Sequence, residues 1–490
     1  MRLLSSLVAR VTAFTIIVGI VLALAACVPY SRDVAVRTER HAAAKILEAP
    51  TRRSEAFARI GYQLGSRVAP LSFGKREPPM WNQTPHFPVD ARGGTAAIAL
   101  WCFASGLTAC GGGGGGGGMP PVPEIDCSVA GRCTAIAFAG DAIATNPGTF
   151  RGFADPSLTH DAATANRLWL AYSWPHAVSG RAVDGSAVQM AAVETHFARS
   201  DDGGANFSYV GILWPAVATL DPEGSGENGI SSSETASLTS IVSAGTTTWF
   251  GAHLRYFLEP KNGYYPKYST SWHVRIGAAP TPGGLASAAE TLLGVSTTAS
   301  VYQPAQRLDQ LAGLPIQDCA ILNNPTLFAS NDTLYLIVEC LAFNGTTANL
   351  AGSSTQVFAT TPNGVPASWV WRYAGKLADH ALAVELSADA VQQPDVSLAA
   401  DGKLIVLLTP AHTDATVGAL ADGCAALQLS SIDPPALARD SAGHVIVRGR
   451  IDGSGVGACT HDPMSATGVI ATTQDAGGGN WVVRASGLSP

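Results

Sequence analysis

Ser200-Asp201-Asp202-Gly203-Gly204-Ala205-Asn206-Phe207 lies between two runs that read as strands, residues 188–198 before it and 207–213 after it. Two adjacent glycines permit the positive φ of a tight turn. Asp202 carries a short carboxylate, the group that accepts backbone N–H bonds inside such a turn. Phe207 then opens the next strand with an apolar ring beneath the loop. The stretch reads as a hairpin staple, and it points to a β architecture for the surrounding chain.

The same residues fit the pattern Ser-x-Asp-x-Gly-x-x-aromatic. In this they resemble the Asp-box of bacterial sialidases and related β-propellers. In those families the motif sits on outer strands, away from the substrate pocket. The resemblance therefore implies a structural role for Ser200, Asp202, Gly204 and Phe207. Two later stretches, residues 360–369 and 473–481, keep a polar opening, glycine and a closing Trp369 or Trp481.

Working outward, a short inner strand followed by a turn and a longer apolar strand recurs. Asp155-Pro156-Ser157-Leu158 leads to residues 167–172, and Glu234-Thr235-Ala236-Ser237-Leu238 to 247–252. Asn324-Pro325-Thr326-Leu327 leads to 333–338, Pro394-Asp395-Val396-Ser397-Leu398 to 403–408, and Asp433-Pro434-Pro435-Ala436-Leu437 to 444–447. Repeated four-stranded units predict an all-β fold, a β-propeller of five to six blades. Six is favoured, because the strand-like residues 134–144 could close the ring and supply part of a further blade. A pair of β-sandwiches is the other architecture left open. Only two short windows beyond Cys110, 285–293 and 374–386, admit a helical reading.

The chain has 490 residues, 47% hydrophobic and 14% charged, with 52 glycines. This composition suits a turn-rich, exported β protein. Residues 1–92 carry 13 Lys/Arg against 6 Asp/Glu, whereas the remainder carries 17 against 31. So acidic a domain excludes nucleic acid as a partner. The basic start has its own explanation. Arg2 and Arg10 precede an apolar run ending Leu24-Ala25-Ala26-Cys27, and Arg92 precedes another ending Leu107-Thr108-Ala109-Cys110. Both resemble a bacterial lipoprotein signal with its lipobox. The second is favoured for lipidation, at Cys110 with Cys27 as the alternative, because Gly111 to Gly118 follow as a flexible tether. Translation starting near Met80, or loss of residues 1–79, would account for the duplication. A transmembrane helix is the other reading of each run, though both are short for a span of about 20 residues.

The expected organisation is a targeting region over 1–110, a Gly/Pro-rich tether over 111–126 and a propeller over 127–490. The resemblance implies a cell-envelope address with a lipid anchor in the membrane. That compartment is oxidising. The six remaining cysteines then suit three disulfides, with neighbours paired: Cys127–Cys133, Cys319–Cys340 and Cys424–Cys459. Fifteen connectivities are open to six cysteines.

Propellers bind ligands at the central channel, so the residues that open each unit are the candidates. Phe150-Arg151 resembles half of the sialidase Tyr/Phe-Arg-Ile-Pro opening, whose arginine grips a carboxylate; Gly152-Phe153 departs from it. A guanidinium suits that bidentate task. A sialidase-type exo-glycosidase also needs further arginines, an acidic Asp and a Tyr–Glu pair. Arg255, Tyr256, Glu259, Tyr264, Tyr265, Arg372 and Tyr373 are of the right type, and Tyr265 is taken as the candidate nucleophile. The segment from Ala154 to Leu158 also resembles the first blade of five-bladed arabinanase- and xylosidase-type glycosidases, which implies a general-base role for Asp155. That family places its acid, a Glu before Pro, in the third blade, where Asn324 stands here. Asp221, Glu223 and Ser225 alternate oxygen ligands as a Ca2+ loop does, without a Glu at the twelfth position. No other cofactor is implied. The expected ligand is a glycan or cell-surface polymer, bound by a monomer. The alternative is a catalytically inactive propeller serving protein or polymer interaction.

Overall fold

The computed structural model describes residues 122–490, apart from 146–149, 182–186, 222–227, 260–264, 267–271, 296–304, 312–318, 345–346, 415–417 and 475–479. Both lipobox-like sites, Cys27 and Cys110, and the glycine tether lie outside the described residues. Strand pairing begins at Glu124.

The fold is all-β, a five-bladed propeller whose five sheets follow one another along the chain. Blade I runs from its inner strand outward as Ala154–His160, Leu168–Arg181, Ala187–Ser200 and Phe207–Trp214. Blade II is Asn228–Ser243, Thr246–Glu259, His273–Ala279 and Glu290–Gly294, and blade III is Ile321–Ser330, Thr333–Asn344, Thr347–Thr360 and Arg372–Ala378. Blade IV is Ala390–Leu398, Leu404–Asp414, Gly418–Ile432 and Val447–Ser454. Blade V takes Val456–Thr460, Ile470–Gln474 and Asn480–Ala485 from the C-terminus and Thr134–Ala135 from the other end of the domain.

That last pairing corrects the expectation that favoured six blades. Thr134–Ala135 does close the ring, but as the outermost strand of the fifth blade. The rest of the leading segment straps its neighbours. Glu124–Asp126 adds parallel to blade IV and Phe138–Ala139 adds parallel to blade I. Asp141 then anchors the strap on blade I, where one carboxylate oxygen accepts from the Tyr172 hydroxyl at 2.7 Å and meets His196 Nδ1 at 2.8 Å. The fifth repeat unit is also corrected. Pro435–Leu437 forms a hairpin with the end of Gly418–Ile432, and the fifth inner strand is Val456–Thr460. The two helical windows contain only the 3-10 turn Pro282–Ser287 and the short helix His380–Glu385.

Blades bury both faces, so alternate residues of each strand meet opposite neighbours. The result is an apolar core in each of the five gaps between blades. Leu170 and Tyr172 meet Ile470 and Val483 between V and I, and Trp169 meets Leu238 and Trp249 between I and II. Phe250 and Ile276 meet Phe358 between II and III, and Val357 meets Val406 and Leu427 between III and IV. Leu407 and Cys424 meet Cys459 and Ala471 between IV and V. The three disulfides join Cys127 to Cys133, Cys319 to Cys340, and Cys424 on blade IV to Cys459 on blade V.

The turn at Ser200 closes by side chain to backbone bonds. Ser200 Oγ accepts from Gly204 N–H at 2.8 Å, and Asp202 Oδ1 accepts from Asn206 N–H at 3.0 Å. Gly203 and Gly204 have φ of 70° and 96°, and Phe207 is buried beneath them. Trp369 is likewise buried, edge-on to Phe250.

Candidate active site

Every inner strand breaks register once, a few residues before its buried apolar stretch. One residue there takes a left-handed conformation: Asp155, Thr235, Asn324, Gln393 and Ala458, with φ between 46° and 49°. Such a bulge re-aims side chains out of the pleat. Repeated in five blades, it builds a ring at the channel mouth. Just below, a belt of side chains ties the strands together. Leu158 N–H donates to Thr460 Oγ1 at 2.9 Å, Leu238 N–H to Ser157 Oγ at 3.4 Å and Leu327 N–H to Ser237 Oγ at 2.9 Å. His461 N–H donates to Asp395 Oδ2 at 3.4 Å, and Thr326 Oγ1 donates to the Pro394 carbonyl.

The ring is chemically uneven. Blades I and II supply carboxyls. Asp155 is partly exposed, its N–H donates to Thr472 Oγ1 at 3.0 Å, and burial raises its carboxyl to about 6 although a bond to Ser173 opposes this. Ser173 Oγ also accepts from Thr235 N–H at 3.1 Å, which locks the two bulges together. Glu234, one residue before the second bulge, is partly exposed and rises to about 8 through burial and the charge of Asp155. The Tyr256 hydroxyl donates to Glu234 Oε2 at 3.1 Å, and burial keeps that phenol protonated. Trp272 stacks on Tyr256 with ring centres 4.6 Å apart and donates to Asn323 Oδ1 at 3.3 Å.

Blades III and IV supply amides. Asn323 and Asn324 donate to one oxygen of Glu339, at 3.1 and 2.9 Å. Glu339 is fully buried on the second strand of blade III, and burial raises it to about 7. Gln393 Oε1 accepts from Ala458 N–H at 3.0 Å, and blade V contributes only that alanine. Deeper in the channel, burial raises Asp395 to about 7. Among the described residues no arginine or lysine contributes to the field at Asp155, Glu234, Glu339 or Asp395. Four carboxyls raised by burial with no cation beside them are unusual for a purely structural channel.

The other sequence candidates lie elsewhere. Arg151 pairs its strand with Asn480–Ala485 of blade V and donates to Asn480 Oδ1. Arg255 is held by Ser231 Oγ at 2.8 Å and Ser233 Oγ at 2.6 Å, and Arg372 by Asp433. Tyr265 pairs its backbone with Glu259, and its side chain is outside the described residues. Asp221 is buried, while Glu223 and Ser225 are outside the described residues. Among the described residues no group of three or more His, Cys, Asp or Glu is arranged to hold a metal ion. The triplets Thr159-His160-Asp161 and Thr460-His461-Asp462 are not one blade position repeated. Thr460 matches Ser157 in register, and Asp462 instead meets His160 Nδ1 at 2.8 Å. Sequence reasoning missed Glu234 and Glu339 as site residues. Glu234 opens a recognised repeat unit, so its register against Asp155 was the available signal.

No family model matches the chain, and no curated protein matches it. Among solved structures, similarity extends to a family 117 glycoside hydrolase from the marine bacterium Zobellia galactanivorans, at 10% identity and TM-score 0.39, over 72% of this chain and 88% of that one. A family 43 arabinoxylan arabinofuranohydrolase from Bacillus subtilis is similar at 14% identity and TM-score 0.38, over 68% and 62%. An arabinanase from Bacillus subtilis is similar at 10% identity and TM-score 0.34, over 70% and 95%.

Proposed function

We propose that the chain is a glycoside hydrolase acting at the channel mouth on a neutral sugar. One observation carries the reading. Two carboxyls, Asp155 and Glu234, stand at adjacent bulges with their protonation pushed apart, about 6 against about 8. Near neutral pH the first is ionised and the second keeps its proton, which is the acid–base division glycoside hydrolysis requires. Asp155 takes a proton from water as the water oxygen bonds to the anomeric carbon. Glu234 gives its proton to the departing glycosidic oxygen as the carbon–oxygen bond breaks. Asp155 keeps the general-base role suggested by its resemblance, and Glu234 takes the acid role absent at Asn324.

A neutral substrate is favoured over a sialoside. A carboxylated sugar needs a cation, and the three arginines named above are engaged by Asn480, Ser231 with Ser233, and Asp433. Tyr256 does meet a glutamate, but it is buried and its phenol is pushed away from ionisation, which argues against a nucleophile. The test is a panel of fluorogenic neutral furanosides and pyranosides, with sialosides included. Turnover of a neutral glycoside, lost in Asp155→Asn, is the expected result. No turnover across the panel, or full activity in that variant, ends the proposal. The second reading, a catalytically inactive module binding a surface polymer, draws on Asn324; binding without turnover would favour it.

The proposed address is the cell envelope, with a lipid on Cys110 or alternatively Cys27. Intact mass of membrane-extracted protein tests it, since the two anchors predict chains differing by residues 27–109.

A further inference from the structure

We infer that Glu339 is a positioning residue that fixes which face the blade III amides turn to the ligand, so that the rim there accepts hydrogen bonds from sugar hydroxyls. This rests on the proposed glycosidase reading for its ligand, but not for its geometry.

Glu339 does not reach the channel. It lies opposite Asn323 on the neighbouring strand and is fully buried. Its Oε2 accepts from Asn323 Nδ2 and from Asn324 Nδ2, two consecutive residues at the bulge. An asparagine whose amino group is committed to a buried carboxyl must present its carbonyl oxygen elsewhere. For Asn323 that oxygen accepts from Trp272 Nε1. For Asn324, partly exposed and in a left-handed conformation, it is left toward the mouth. One buried carboxyl thus orients two consecutive amides of blade III.

The consequence is directional. With Glu339 in place, Asn324 offers an acceptor at the rim of blade III and the ligand must donate to it. Without it, Asn323 and Asn324 are free to rotate, and a site built to hydrogen-bond a hydroxyl loses discrimination when its partners turn. Glu339 acts on binding and leaves bond breaking to Asp155 and Glu234.

Two measurements on the full chain test this. The first uses the neutral aryl glycoside that the panel identifies. Glu339→Leu raises KM about tenfold with kcat within about threefold, and Glu339→Gln, which keeps one acceptor, stays within about threefold of wild type on both. A hundredfold loss of kcat in both variants at unchanged KM overturns the inference, because Glu339 would then donate the proton itself. The second needs no substrate. Trp272 reports the Asn323 amide through its indole N–H, so its emission, taken as the difference between each protein and its Trp272→Phe counterpart, changes in Glu339→Leu. In wild type it also titrates across neutral pH, and in Glu339→Gln it does not. A wild-type signal flat with pH, or one identical in all three proteins, overturns the inference even if a glycoside is hydrolysed. Failure of hydrolysis alone, with the emission behaving as stated, rejects the glycosidase reading and leaves the positioning role standing.

Discussion

The backbone N–H of Leu158, on the first inner strand, donates to the hydroxyl of Thr460, on the last, at 2.9 Å. Both groups are buried, and they bridge the blades where the ring closes. Removing the acceptor leaves a buried N–H without its partner, at a cost of about 1–3 kcal/mol. Thr460→Val keeps the volume and loses the bond, so chemical unfolding is expected to give a loss in that range. Thr460→Ser retains the hydroxyl and is expected to lose less. Equal stability of wild type and Thr460→Val would mean that the belt does not hold the ring.

The disulfides offer a graded test. Cys424–Cys459 closes a separation of 35 residues and joins blades IV and V, whereas Cys127–Cys133 closes only 6. Loop-closure entropy assigns the longer link about 4 kcal/mol and the shorter about 2 kcal/mol. Replacing the first pair by alanine is therefore expected to lower the unfolding midpoint more than replacing the second. The reverse order would show that the Cys127–Cys133 loop governs how the strap at Glu124–Asp126 seats on blade IV.

Much of the ring was legible because its inner strands share a local need. The first four repeat units mark true inner strands, since three of their left-handed bulges are followed by Pro and all four by a small polar residue and then a buried Leu or Val. The fifth escaped recognition because Val456-Gly457-Ala458-Cys459-Thr460 answers the same need with small residues. Gly457 sits against Thr409 and Ala421, where a larger side chain would clash. Asp433-Pro434-Pro435 imitates the repeat because a hairpin turn also selects Asp and Pro. The count of five depends on Thr134–Ala135 crossing to the C-terminal sheet, a pairing with no local signal. Asp155 could be found from its motif, but its partners could not. Glu234 becomes a neighbour of Asp155 only when two bulges align, and Glu339 reaches the rim from a second strand.

The paired carboxyls predict a bell-shaped pH dependence for hydrolysis. Activity rises as Asp155 ionises near pH 6 and falls as Glu234 loses its proton near pH 8. Glu234→Gln cannot donate the proton. With an aryl glycoside whose leaving group needs little protonation, residual activity is expected to persist on the alkaline side without the upper limb. Tyr256→Phe removes a hydrogen bond to the ionised glutamate, which lowers its pKa, so the upper limb should move to higher pH. An upper limb unchanged in both variants would remove Glu234 from the acid role.

The same burial makes the fold pH-sensitive, in the opposite sense to most carboxylates. Glu339 titrates at about 7 in the folded chain against an ordinary value of 4.5, because burial disfavours its charge. Its stabilising contribution is complete below pH 4.5 and is lost as pH rises through 7, a change of about 3 kcal/mol for a shift of this size. Asp395, raised to about 7, adds to the same trend. Glu290 works the other way. Burial alone would raise it, but His253 at 3.0 Å and Arg275 hold it near 2, so its contribution is lost as pH falls below 4.5. Maximum thermal stability is therefore expected near pH 4.5, with Tm falling as pH rises to about 7. Glu339→Gln, neutral at every pH, should flatten that decline while leaving the acid limb in place. A decline as steep in Glu339→Gln as in wild type would show that Glu339 is not the group losing its proton.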